Sequence, residues 1–497
     1  GLFGEVSMKV ILSEENQRLF HYELECILRM FLPQVRVDFL PQGGEGEDRV
    51  LVETSREGDL SRNRVSLFWE GFSGSEEGLS GAGGKEPELS VCRLLYRLLS
   101  RATGRSIQWG TLTGIRPVKL VRELRERGMS PEEIARMLGE KYLVAPEKVR
   151  LALLTDQVQQ PVIERALPHG YSLYVSIPFC PSRCSYCSFV SHSIEKTRKL
   201  IPEYLEKLEE ELAYAGRIAG EMGLTLQTVY MGGGTPTVLE AEQLERLLEV
   251  INRSFDRSRC VEFTVEAGRP DTITREKLAA LARGGVDRIS VNPQTLNDQV
   301  LRQVGRRHTA RQFWEALEIA RTFPFRAINV DLIAGLPGDT ADSFRSTLDQ
   351  VIAAGPENIT VHSLTMKRAA DMIGEKNLHL NGFSPAGEMV NYSQRALAEG
   401  GYLPYYLYRQ KSTVDSLENV GFCKGDTPCF YNVYIMDETH TILSTGGGGV
   451  TKVVLPGNRI ERIFNYKYPY EYISRFQNIL ERKDAFKALG LSNEISR

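Results

Sequence analysis

Leu173-Tyr174-Val175-Ser176-Ile177-Pro178-Phe179-Cys180-Pro181-Ser182-Arg183-Cys184-Ser185-Tyr186-Cys187 joins a short apolar, β-branched run to three cysteines in a C-x3-C-x2-C pattern. The run reads as a buried strand, and the cysteines lie on the loop that follows it. Three thiolates on one tight loop can close on a metal centre. Zinc takes four protein ligands, or three plus water, and favours C-x2-C pairs. A 4Fe–4S cluster that only carries electrons takes four thiolates, and with three one iron is left open to an exogenous ligand.

Working outward, strands alternate with helices. Strand patterns fall at Leu173 to Ile177, Thr228 to Met231, Glu262 to Glu266, Arg288 to Val291, Ile328 to Ile333 and Asn358 to Ser363. Helical periodicity separates them at Pro202 to Ala219, Ala241 to Ser254 and Ala310 to Thr322. Repeated β/α units imply a parallel sheet with helices outside it, an open or partial barrel. Chemistry in such a sheet sits at the carboxyl ends of the strands. The cysteine loop, Met231-Gly-Gly-Gly-Thr-Pro-Thr237, Glu266 and Gln294 all fall there.

The flanks read differently. Before residue 165 come short strands at Met8 to Leu12 and Val35 to Phe39 around a helix from Glu14, then a hairpin of Arg49 to Glu53 with Arg64 to Trp69. Gly71 to Glu86, rich in Gly, Ser and Glu, reads as a loop or linker before further helices. Gly114-Ile-Arg-Pro117 reads as a turn that caps a helix, or as an anion site at that helix's start. Beyond Met366 come a helix, aromatic-rich strands at Tyr402 to Tyr408 and Tyr431 to Met436, and a terminal helix. Met8-Lys9-Val10 looks like a natural start.

The 497 residues are 42% hydrophobic and 25% charged, and 61 basic residues nearly balance 64 acidic ones, for a net charge of −3. The balance gives no electrostatic reason to expect a nucleic-acid binder. No apolar run reaches the length of a membrane span, and no secretory leader is visible. The cytoplasm is therefore the expected compartment. Cys423 and Cys429, with five residues between them, match no common metal site, and Cys26, Cys92 and Cys260 read as buried thiols.

Tyr174 through Cys187 resembles the radical S-adenosylmethionine (SAM) enzymes, and specifically their oxygen-independent coproporphyrinogen III oxidase family. The resemblance implies an α/β fold, a partial (β/α)6 barrel with an amino-terminal α+β and helical region and a carboxyl-terminal α+β module. The expected domains are 1–75, 76–168, 169–370 for the barrel, and 371–497 as a substrate-covering module. It also implies that Cys180, Cys184 and Cys187 hold a 4Fe–4S cluster whose open iron chelates SAM, one or two molecules of which are bound. Reduction of SAM there gives methionine and a 5′-deoxyadenosyl radical. By the same resemblance Tyr186 flanks the adenine, and Gly233, Gly234 and Thr235 face the SAM methionine group. Glu266 and Arg306 contact SAM, Asp331 and Ile333 mark the adenosine-binding strand end, and Gln294 faces a second SAM or the substrate. Tyr174 lies beside SAM, and with Gln294 and Arg306 it forms the expected catalytic set.

The segments Leu403 to Lys411, Glu418 to Gly421, Phe430 to Val433 and Gly446 to Gly449 resemble the coproporphyrinogen dehydrogenase variant of that family. Their aromatic and basic residues suit a flat macrocycle with four propionates. The implied reaction is oxidative decarboxylation of coproporphyrinogen III to protoporphyrinogen IX. The implied partners are that porphyrinogen and a low-potential donor such as flavodoxin or ferredoxin, with no nucleic acid and no membrane span, on a monomer. Three positions depart from the well-studied oxidases: Phe189 where they carry a fourth cysteine, Ser176 where they carry histidine, and an all-glycine Gly446 to Gly449. Related haem-binding chaperones share the missing cysteine. A haem chaperone and a radical SAM enzyme with another substrate are therefore the alternative readings.

Overall fold

The computed structural model describes residues 7–32, 35–41, 48–182, 184–187, 192–193, 197–364, 384–410 and 414–493. The chain divides into two compact units. One is built from Gly1–Asp156, Ser363–Tyr392 and Leu407–Asn419, and the other from Gln157–His362, Ser393–Tyr406 and Val420–Arg497.

The first unit carries a five-stranded sheet of β1 (Ser7–Ile11), β2 (Arg36–Leu40), β3 (Arg49–Glu57), β4 (Leu60–Trp69) and β5 (Phe72–Gly81), in the order β2-β1-β3-β4-β5. The expected hairpin is present, with Glu57 opposite Leu60 at its tight end. The Gly71 to Glu86 stretch is not the loop its composition suggests: Phe72–Gly81 pairs along its full length with β4. Its glycines serve packing. A Cβ on Gly74 would lie 3.1 Å from Leu98, and one on Gly78 would lie 3.6 Å from Leu94, so the helix Glu86–Thr103 lies close against the strand. Met8, Val10, Leu24, Ile27, Leu95 and Leu98 fill the core between this sheet and its two long helices.

The second unit holds β6 (Gly170–Ile177), β7 (Phe179–Cys180), β8 (His192–Ser193), β9 (Thr225–Gly233), β10 (Glu262–Glu266), β11 (Arg288–Ser290), β12 (Ala327–Ala334) and β13 (Asn358–Ser363). Later in the chain come β14 (Leu403–Arg409) and β15 (Glu418–Cys423), whose residues 407–409 and 418–419 count with the first unit, then β16 (Thr441–Thr445), β17 (Val450–Leu455) and β18 (Arg459–Phe464). The large sheet runs β14-β15-β13-β12-β11-β10-β9-β6-β16-β17-β18. At its centre β6, β9, β10, β11, β12 and β13 stand side by side in chain order, and the pairs from β6 to β12 are parallel. The six expected β/α units are thus the middle of a wider sheet. Strands from the carboxyl-terminal third extend both edges, β15 antiparallel to β13 and β16 parallel to β6.

Tyr431 to Met436 corrects a second expectation. The run is helical, Phe430–Asp437, not a strand. Its aromatic and β-branched residues are buried nearly all round, so no amphipathic period marks it as a helix. Its amino-terminal end is fixed from outside: the buried carboxylate of Glu262 on β10 accepts the backbone N–H of Phe430 at 2.7 Å and of Tyr431 at 3.1 Å. A carboxylate on these otherwise unpartnered amides caps the helix and complements its dipole. Among the described residues no helix is long and apolar enough to cross a membrane.

Candidate functional site

The cysteine loop leaves β6 at the carboxyl end of the sheet. Cys180 lies in β7, which pairs with β8 beyond the loop. Further on, Ser185 N–H donates to Val304 O at 3.1 Å and Ser182 Oγ to Gly305 O at 3.2 Å, stitching the loop to the segment before Arg306. Thr235 Oγ1 donates to Cys180 Sγ at 3.5 Å. Arg269 Nη1 reaches Cys184 Sγ at 3.9 Å. Among the described residues no three Cys, His, Asp or Glu side chains converge closely enough to hold a single ion. Each thiolate of an iron–sulfur cube binds its own iron, so its ligands stand wider apart than those of one ion. Three thiols on one loop with N–H and O–H donors turned toward their sulfurs fit such a cluster.

Across from the loop, Gly232 and Gly233 end β9 and Gly234 follows it. A Cβ on Gly232 would lie 2.9 Å from the Glu266 carboxylate, and Gly233 has φ +104. A Cβ on Gly234 would meet Phe179 O at 2.5 Å. Backbone therefore occupies space that a side chain would close. Glu266, at the end of β10, accepts a 2.5 Å hydrogen bond from Tyr230 Oη. Burial pushes its pKa up to about 7, against the lowering effect of that bond. Asp331 on β12 accepts from Asn329 Nδ2 at 2.7 Å and lies 3.5 Å from His362 Nε2. Burial raises its pKa, but His362 and its hydrogen bonds outweigh that and hold it below the ordinary value.

Gln294 is buried with φ +65, and its backbone bonds to Asp331 O and Ile333 N. Its side-chain Oε1 has no partner among the described residues. A strained residue presenting an unsatisfied buried oxygen is the mark of a ligand contact. Arg306 is buried, donating to Tyr186 Oη at 3.1 Å and to Asn292 O at 3.1 Å. Burial pushes the Tyr186 hydroxyl up to about 12, so it stays neutral.

The structure thus gathers the expected residues at one end of the sheet in the second unit. Beside them it places Tyr230 and Arg269, which sequence reasoning missed, and Tyr431, which the sequence reading put in an aromatic segment suited to a macrocycle but took for a strand. Tyr230 and Tyr431 lie nearly parallel with ring centroids 4.4 Å apart, and Tyr174 is 6.1 Å from Tyr230. His308 borders a cavity of about 660 Å³ with Ser182, Arg302, Arg306 and Arg307. Burial and the neighbouring Arg306 and Arg269 push its pKa down to about 3, so it is neutral and no general acid. Phe189 and the side chain of His192 lie outside the described residues.

The departures have local explanations. Ser176 Oγ donates to Gly447 O at 2.7 Å, and the φ +89 turn at Gly446 packs where a Cβ would lie 2.6 Å from Ser176 O. Cys429 Sγ donates to Glu262 at 3.2 Å, and burial pushes Cys423 up to about 12, so both read as structural thiols. Cys92 is buried as expected, whereas Cys26 and Cys260 are only partly so, and the eight cysteines form no disulfide with one another. In the first unit the turn before Pro117 opens the helix Pro117–Glu126, and its carbonyls Leu112 O and Gly114 O accept from Arg409 at 2.6 and 3.2 Å.

The radical SAM superfamily model matches residues 174–351. The oxygen-independent coproporphyrinogen-III oxidase-like protein HemZ of Bacillus subtilis is 37% identical over 411 residues, covering 80% of this chain and 81% of the relative. The heme chaperone HemW of the same organism is 32% identical over 260 residues, covering 51% of this chain and 67% of the relative. The oxygen-independent coproporphyrinogen III oxidase of Pseudomonas aeruginosa is 32% identical over 254 residues, covering 51% of this chain and 57% of the relative.

Proposed function

The chain belongs to the oxygen-independent coproporphyrinogen-III oxidase-like family of radical SAM proteins, and on that premise we propose that it converts coproporphyrinogen III to protoporphyrinogen IX. Two propionates each lose a hydrogen atom to the 5′-deoxyadenosyl radical, then carbon dioxide and one electron, taken by a one-electron acceptor, to become vinyl groups. The observation that carries this reading is coverage: the oxidase-like relative matches 80% of the chain, reaching well beyond the barrel, against 47% to 64% for the heme chaperones.

Cys180, Cys184 and Cys187 would hold the cluster, and Gly233, Gly234, Thr235, Glu266, Arg306, Asp331 and Ile333 would hold SAM. When bound, these cofactors supply a 5′-deoxyadenosyl radical as the hydrogen-abstracting species. The chain's own work is placement. The glycines at the end of β9 let backbone approach SAM closely. Glu266 presents an acceptor to its ammonium group, and Arg306 a buried cation to its carboxylate. Tyr174, Tyr230 and Tyr431 offer ring faces to a flat macrocycle and keep water from the reacting carbon. A low-potential donor protein would supply the electron, and the cytoplasm suits this chemistry.

The chaperone relatives support a second reading, a haem carrier that performs no decarboxylation. An anaerobic assay of cluster-reconstituted protein with SAM, dithionite and coproporphyrinogen III decides between them. Protoporphyrinogen with about two 5′-deoxyadenosines each, one per propionate, is the expected result. Tight haem binding with neither product would sink the enzyme reading in favour of the chaperone.

A further inference from the structure

Arg269 lies three residues past Glu266, outside the residues matched to any SAM contact, and only 3% of its surface is exposed. Its backbone is pinned. The short turn Pro270–Thr272 follows at once, and Thr272 donates to Arg269 O through its N–H at 2.9 Å and its hydroxyl at 2.7 Å. Asp271 holds one side of the guanidinium, at 3.1 Å from Nε and 3.4 Å from Nη2. The remaining donors face the cysteine loop: Nη2 to Ser182 Oγ at 3.1 Å, Nη1 to Ser182 O at 3.4 Å, and Nη1 to Cys184 Sγ at 3.9 Å. A rigid fork of five donors suits such a bridge, and a lysine could not span it.

We propose that Arg269 is a positioning residue that clamps the cysteine loop and, through its hydrogen bond to Cys184 Sγ, raises the reduction potential of the cluster bound there. The inference rests on the reading of the three cysteines as cluster ligands. Reduction adds one electron and makes the cluster more negative. A buried cation donating to a ligand sulfur stabilises that form over the oxidised one. Asp271 offsets part of the charge, but it lies on the far side of the guanidinium from the sulfur contact. The family's SAM motifs would be unaffected by the change. What shifts is how easily the chain accepts the electron on which turnover depends.

The test uses the full-length chain, reconstituted with iron and sulfide without oxygen, as wild type, Arg269→Gln, Arg269→Lys and Ser182→Ala. The readouts are iron and sulfide per chain and a potentiometric titration followed by electron paramagnetic resonance, with no substrate. At the wild-type midpoint, Arg269→Gln is expected to show an about tenfold lower ratio of reduced to oxidised cluster, equivalent to 59 mV for one electron. Arg269→Lys, which keeps the charge and loses the fork, falls by less. Ser182→Ala removes one clamp contact and leaves the midpoint in place. Equal midpoints for wild type and Arg269→Gln at equal iron content overturn the proposal. Should Arg269→Gln retain no iron, Arg269→Lys decides, and a wild-type midpoint there overturns it. Wild-type protein that takes up no cluster would defeat the underlying reading of the cysteines instead.

Discussion

A carboxylate at the end of a buried strand must find partners or keep its proton, and Glu266 does some of each. Tyr230 donates to it at 2.5 Å, yet burial still lifts its pKa to about 7. In the unfolded chain a glutamate titrates near ~4.3. Between those values the folded state holds a proton that the unfolded state has lost, so this group's contribution to stability falls as pH rises through the window. Glu266→Gln mimics the protonated form. In urea titrations of cofactor-free protein the variant should nearly match wild type at pH 4 and exceed it at pH 8 by about 2 kcal/mol, a figure discounted for partial exposure. An equal difference at both pH values would show that Glu266 titrates normally. Glu266 was legible because it follows its own strand in a spaced series of motifs. Tyr230 and Arg269 belong to no such series. Their roles depend on which strands and loops become neighbours, and a single sequence does not print that.

At the scale of elements, the sequence was most readable where burial was one-sided or the strand period complete. The central strands fall within a few residues of their expected places because short β-branched and aromatic runs there alternate with long helical stretches. Burial on nearly every side concealed the helix Phe430–Asp437, which has almost no polar face to set a period. Small-residue composition likewise concealed β5, whose glycines admit a helix rather than mark a loop. The helix at 430 depends on Glu262, which is fully buried and accepts from two backbone amides and from Cys429. Glu262→Ala removes the cap and leaves Arg288, 3.8 Å away, facing an apolar gap. The expected cost is about 3 kcal/mol, read as a lower denaturant midpoint at unchanged slope. Because Tyr431 is the second residue of that helix, the same variant should weaken porphyrin binding more than SAM binding. Parallel losses of both ligands would contradict the placement of Tyr431 toward the macrocycle.

For the whole molecule, chain connectivity matters as much as local pattern. The amino-terminal unit is not one stretch: Leu407–Asn419 returns to it some 250 residues after Asp156. Inside that unit Lys148 and Glu418, both wholly buried, form an ion pair. Asn391 accepts from Lys148 at 3.0 Å, and Trp109 Nε1 donates to Glu418 at 2.8 Å. Nothing in the sequence announced this pair, because 269 positions separate its members and each reads as an ordinary surface charge. A buried pair adds little over an apolar replacement but is costly to break by halves. Lys148→Met should therefore destabilise the chain by about 3–5 kcal/mol, since it removes the cation held against a buried carboxylate. Adding Glu418→Leu should recover most of that loss, and a double-mutant cycle on denaturant midpoints measures the coupling. Additive losses would mean that the two charges do not stabilise each other. A recovered double variant with poor turnover would be more informative still. It would show that the pair is kept for something other than stability, since an apolar replacement that restores the denaturant midpoint leaves the fold as firm as before.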